Sequence, residues 1–149
     1  MHRDVDEHRA GGVMREGDAL PELTITPDRY VTVRYAGASG DFNPIHIDEE
    51  FARSVGLPGR ILHGLWTMAQ VARAVTESAG DPAALKRLEV QFRGMALPEH
   101  EITVTSTVKE VRADGTAVVV AHAEQNGKKI IRGARAEIEG GAGAEPAAS

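Results

Sequence analysis

The 149-residue chain has no cysteine, which excludes disulfides, thiolate metal sites and cysteine nucleophiles and leaves any chemistry to oxygen and nitrogen groups. It has no apolar run long enough to cross a bilayer, and its first residues, "MHRDVDEHRAGG", contain no apolar segment of the kind that directs export. A cytoplasmic enzyme or binding protein is therefore expected. Positive charge is also in deficit: 17 Lys and Arg stand against 22 Asp and Glu, a formal net charge of -5. With the cations scattered, no basic face for a nucleic-acid backbone is evident.

What remains fits one domain. "GGAGAEPAAS", Gly140 to Ser149, is small and without an apolar face, and the charged start resembles it, so residues 1–12 and 140–149 are expected to be disordered tails around a body spanning 13–139. No internal repeat is visible. Leu20 to Ile25 alternates weakly and runs into "TPD", where Thr26 as cap and Pro27 as first helical residue predict a short helix to about Ala36. Asp48 is a candidate cap for a second short helix ending at Gly56. A longer helix is predicted from His63 or Gly64 to Ala79, with Leu65, Met68, Ala69, Ala72, Val75 and Ala79 as its apolar stripe and Gly80 as its stop.

Beyond Gly80 the period becomes two. Leu88, Val90 and Phe92 alternate with polar neighbours, as do Ile102, Val104, Ser106 and Val108; Asp114-Gly115 and Asn126-Gly127 are hairpin signals, and a last strand is expected over about Lys129 to Ile138. A long helix followed by an antiparallel meander predicts an α+β domain with the helix on one face of the sheet.

Polar chemistry concentrates in "SGDFNPIHID", Ser39 to Asp48. Pro44 restricts Asn43 to extended geometry, which predicts a fixed, non-helical loop from Asp41 to His46. Such a loop can set Asp41 and His46 on opposite sides of one water molecule, an acid and base arrangement. In "RILHGLWTMA", Arg60 to Ala69, Gly64 opens the helix, allows close approach of a ligand, and offers backbone N–H groups at the positive helix end, a place for a developing oxyanion. His63 is read as fixing the helix start.

The segment "YAGASGDFNPIHIDEEFARSVGLPGRILHGLWTMA", Tyr35 to Ala69, resembles the signature of the MaoC-like, (R)-specific enoyl-CoA hydratase family of hot-dog proteins, and in particular single-hot-dog dehydratase subunits of actinobacterial fatty-acid elongation. The resemblance implies a sheet wrapped round a long helix, two such units paired with the active site at their interface, a catalytic dyad of Asp41 and His46, and an oxyanion N–H from Gly64. It implies a carbon–oxygen lyase, hydrating trans-2-enoyl thioesters or dehydrating (3R)-hydroxyacyl thioesters of coenzyme A or acyl carrier protein, with no metal or organic cofactor. Asn43 would shape the loop, and Asn43, His63, Leu65 and Trp66 are expected to line the substrate site. Trp66 stands where relatives carry a smaller aliphatic residue and is expected to shorten or redirect an acyl tunnel.

Other readings remain beside it. "HID", His46 to Asp48, is also the first part of a facial-triad iron site with His100 or His122 as third ligand, although one dominant helix speaks against that architecture. Hot-dog thioesterases share the implied fold. Some relatives work as heterodimers in which one chain carries the dyad, so this chain would be the catalytic partner of a second hot-dog chain, or inactive alone. An acidic carrier needs a local basic patch, for which Arg60, Lys86, Arg87 and Arg93 are candidates.

Overall fold

The computed structural model describes residues 12–140, so the expected tails lie almost entirely outside the described residues. Five antiparallel strands form one sheet in the order β1-β3-β4-β5-β2: β1 Leu23–Ile25, β2 Leu85–Glu89, β3 Ile102–Val111, β4 Ala117–Gln125 and β5 Lys128–Ile138. Four helices precede the bulk of the sheet: α1 Val31–Ser39, α2 Pro44–Ile47, α3 Glu49–Ser54 and α4 Gly64–Ala79. The long helix α4 packs on β2, β3, β4 and β5.

Strand β3 shows the period of two expected of a sheet with one buried face: Ile102, Val104, Ser106 and Val108 are buried, and the residues between them are exposed or half-buried. The two hairpins form where the turn chemistry placed them. Asn126 and Gly127 both have positive φ, 52° and 73°, as a two-residue turn between right-twisted strands demands. Val71 and Ala74 of α4 share one core cluster with Ile102, Val104, Ala121 and Ile131. Val75 joins a second with Val108, Val119 and Ile138. Each fully buried valine stabilises the fold by about 2 kcal/mol, and alanine at the facing positions lets helix and sheet approach closely.

Four expectations are corrected. The helix assigned to Thr26 and Pro27 starts later, at Val31. Pro27 is instead buried and its carbonyl accepts from Glu99 N–H, while Asp28 accepts from Tyr30 N–H and shapes the turn into α1. Secondly, the stretch from Asp41 to His46 is not free of helix, because Pro44 is the first residue of the single turn α2. Asn43 is extended, as the proline requires, and caps that turn by accepting from Ile45 N–H at 3.3 Å. A proline at the first helical position loses no intrahelical bond, so restriction before it and helix after it coexist.

Thirdly, the inward stripe of α4 is Thr67, Gln70, Val71, Ala74 and Val75. Of the expected stripe only Val75 is buried; Leu65 is 61% exposed, Ala69 is exposed, and Met68, Ala72 and Ala79 are half-buried. Two polar residues occupy the inward face near the helix start, which displaced the phase read from hydrophobicity alone. Val90 and Phe92 likewise lie past β2, Phe92 making one isolated bridge to Ile131.

Candidate active site

Three short elements bring the site together. The turn after α1 carries Asp41, α2 carries His46, and the start of α4 carries His63 and Gly64. Asp48 caps α3 by accepting from Phe51 N–H. Glu49 fastens this helical arm to the segment before α4, accepting from the Arg60 backbone N–H at 3.1 Å and pairing with Arg53 and the Arg60 guanidinium. The Arg60 N–H bond, assisted by the Arg53 and Arg60 guanidiniums, holds the Glu49 carboxyl below its ordinary value.

His46 is buried, and its Nδ1 lies 2.8 Å from the Ile61 carbonyl oxygen. A carbonyl only accepts, so Nδ1 carries the proton and Nε2 of the neutral ring presents a lone pair. Nε2 lies 3.9 Å from Asp41 Oδ2. Asp41 Oδ1 accepts from Asn43 N–H at 3.1 Å, and Ser39 Oγ accepts from Asp41 N–H, so the exposed carboxylate is held at its base. The gap is too long for a direct hydrogen bond and suits one water within reach of both groups.

His63 stacks on His46 with ring centroids 3.8 Å apart and an interplanar angle of 22°. Its Nε2–H donates to the Asp41 backbone carbonyl at 2.9 Å. As N-cap of α4 it makes no side-chain cap bond; its carbonyl accepts from Trp66 N–H at 3.1 Å and Thr67 N–H at 3.3 Å, and the N–H groups of Gly64 and Leu65, ahead of these, are the ones a ligand oxygen can use.

A cleft of about 170 Å³ lies beside the dyad, lined by His46, Gly64, Thr67, Phe92, Met95 and Ile130 among others. A Cβ on Gly64 would come within 3.1 Å of Phe92 Cε1, so glycine allows this ring to cover the helix start. A larger hollow of about 360 Å³, near Leu20 and Ala74, touches neither Asp41 nor His46, whereas the smaller cleft is lined by His46, with Asp41 outside its lining.

Of the residues singled out in the sequence, Asp41, Asn43, His46, His63 and Gly64 gather here. Leu65 and Trp66 do not line the cleft; Trp66 packs against the core, and Thr67 takes the place facing the cleft. Phe92, Met95 and Ile130 were missed, because they lie far along the chain, between β2 and β3 and on β5, and carry no local motif.

The alternative triad is not assembled. Asp48 is engaged as a helix cap, His100 pairs with Asn126, and His122 Nδ1 accepts from Gly133 N–H. Among the described residues the one cluster with metal-ligand proximity is Asp41, His46 and His63. Its two imidazoles are nearly parallel, so their in-plane lone pairs do not converge on one ion. The basic patch is also reduced. Arg60 is tied to Glu49, Thr32 and Arg29, Lys86 pairs with Glu139 and Arg87 with Glu89, whereas Arg93 contacts only the neutral Gln91 among these partners.

Comparison with known proteins gives this arrangement a family. The chain is 40% identical over 143 residues to the fatty acid synthase subunit beta of Aspergillus oryzae, with 88% of the chain covered, and 34% identical over 127 residues to the peroxisomal multifunctional enzyme type 2 of Drosophila melanogaster, with 84% covered. It spans only 7% and 20% of those two proteins. Among solved structures, a MaoC-like dehydratase superposes with a TM-score of 0.81 at 34% identity, over 88% of this chain and 43% of that one. The sheet with its long helix is accordingly the hot-dog fold that the sequence resemblance implied. The MaoC like domain model matches residues 13–129, and the chain belongs to that family.

Proposed function

We propose that the chain adds water to trans-2-enoyl thioesters, or removes it from (3R)-hydroxyacyl thioesters, with Asp41 and His46 as the groups that handle the water. The observation that carries this reading is the 3.9 Å gap between His46 Nε2 and Asp41 Oδ2 beside the cleft at Gly64. A water in the gap donates to both. As its oxygen bonds to C3, the C2=C3 electrons move toward the thioester carbonyl, whose oxygen is received by the Gly64 N–H. One O–H bond of the water breaks, its proton passing to the dyad.

The tautomer adds a constraint. In the neutral tautomer that the Ile61 carbonyl selects, Nε2 carries no proton, and in that form the proton that reaches C2 is the one the dyad took from water, returned as the enolate collapses. His46 Nε2 is the better placed carrier, since its ring is buried and fixed by the Ile61 carbonyl while Asp41 stays solvated. Arg93, between the cleft residues Phe92 and Gly94 in the chain and exposed, is the candidate contact for the phosphate-bearing arm of coenzyme A or a carrier protein. Asn43 serves the loop, not the substrate.

Pairing with a second hot-dog chain belongs to the proposal. It is supported by Phe42, Leu65, Phe92 and Met95, apolar side chains 49–61% exposed in or next to the site. So does a cytoplasmic location, to be checked by fractionation of the native host; no helix among the described residues is long and apolar enough to cross a membrane.

Chiral analysis of the product from crotonyl-CoA tests the chemistry. The (3R)-hydroxy thioester is expected. Release of free coenzyme A from a saturated acyl-CoA would indicate a thioesterase instead, and activity appearing only with a second hot-dog chain would indicate a subunit of a heteromeric dehydratase.

A further inference from the structure

We infer that His63 is a positioning residue that holds both members of the dyad at once, and that it does not touch substrate; this rests on the dyad reading above. His63 is 2% exposed and absent from the cleft lining, so the substrate contact expected of it has no surface to act through. It reaches the dyad by two separate contacts. The Nε2–H bond to the Asp41 backbone carbonyl fixes the turn from which the carboxylate extends, and the stack on His46 fixes the plane in which Nε2 points.

The remaining nitrogen explains why a histidine in one tautomer is required. His63 Nδ1 is buried with no hydrogen-bond partner. A proton there would be a buried donor facing no protein acceptor, so the proton stays on Nε2, where the Asp41 carbonyl uses it. Tyr35 of α1 packs 4.7 Å from the ring, tilted by 54°. The titratable groups around the stack are thus Asp41 and Tyr35; the neighbouring carboxylates of Asp48 and Glu49 are turned to Phe51 N–H and to Arg53 and Arg60.

Separate substitutions divide the two contacts. His63→Gln keeps an N–H donor for the Asp41 carbonyl and loses the stack; His63→Phe keeps a flat ring and loses the donor; His63→Leu loses both. The measurements are kcat and KM with crotonyl-CoA, together with the His46 Nδ1–H resonance in ¹⁵N-histidine-labelled protein without substrate. We expect kcat to fall about 100-fold in His63→Leu and less in the other two, with KM within about twofold of the unsubstituted chain. The His46 Nδ1–H signal should be sharp in the unsubstituted chain and in His63→Phe, and lost to solvent exchange in His63→Leu. A raised KM at unchanged kcat, a His63→Leu variant with full kcat, or a His46 signal equally sharp in that variant would each overturn the inference. The resonance is read without turnover, so it decides the positioning role even if the unsubstituted chain proves inactive and the hydratase reading fails.

Discussion

Gly64 shows how one residue carries both a backbone function and a steric one. It lines the cleft at the helix start, and its missing Cβ leaves room for Phe92, whose ring is half-exposed. Gly64→Ala is therefore expected to leave the melting temperature nearly unchanged while lowering kcat/KM by up to about 100-fold, as the ring or the thioester is displaced. Adding Phe92→Leu should recover part of the loss, which a double-mutant cycle on crotonyl-CoA turnover measures. Asn43→Ala acts through the turn instead. Loss of the cap on Ile45 N–H should cost about 1 kcal/mol of stability in denaturant unfolding, with a lower kcat because the segment between Asp41 and His46 is less fixed. That Asp41 and His46 lie close together, with Gly64 lining the cleft His46 faces, was legible in the sequence because a proline-bounded turn and a helix start each have local rules. The stack between His46 and His63 was not, since it joins residues from different elements and no spacing rule foretells it.

At the level of elements, legibility followed the strength of the local signal. The end of α4 at Gly80 and the two hairpins at Gly115 and Gly127 were set by glycines at positive φ and were readable. The rotation of α4 was not, because Thr67 and Gln70 turn inward near the site and Leu65 turns outward, against their hydrophobicity. The same held for the start of α1, where a long-range bond from Glu99 to the Pro27 carbonyl overrode the cap signal.

Strand β4 supplies a pH-dependent element. His122 Nδ1 accepts from Gly133 N–H across the irregular β4–β5 register, and partial burial, with Lys129 and Arg132 nearby, lowers its pKa from 6.5. A depressed histidine is protonated more readily when unfolded, so its contribution is fully present above about pH 6.5 and is lost as the pH falls through the folded value. Melting curves between pH 7.5 and about 5 should show this loss. His122→Asn, which keeps an acceptor and cannot titrate, should flatten it; an equal slope in the variant would show that other groups govern the acid limb.

For the whole molecule, the cleft opens beside apolar side chains that a folded monomer leaves in water, with Leu65 61% exposed on the outward face of α4. Association of two hot-dog chains over this face is expected to appear as a concentration-dependent dimer in sedimentation equilibrium. Leu65→Asp should shift it toward monomer and lower activity in parallel. A monomer at all concentrations with full activity would place the complete site within one chain.

The most direct test of the account is the loss of enoyl-thioester absorbance with crotonyl-CoA, compared among the unsubstituted chain, Asp41→Asn and His46→Ala. The dyad predicts turnover in the first and a fall of at least about 100-fold in each variant, with the fold intact by circular dichroism. Turnover that survives both substitutions would contradict the assignment of the water to Asp41 and His46.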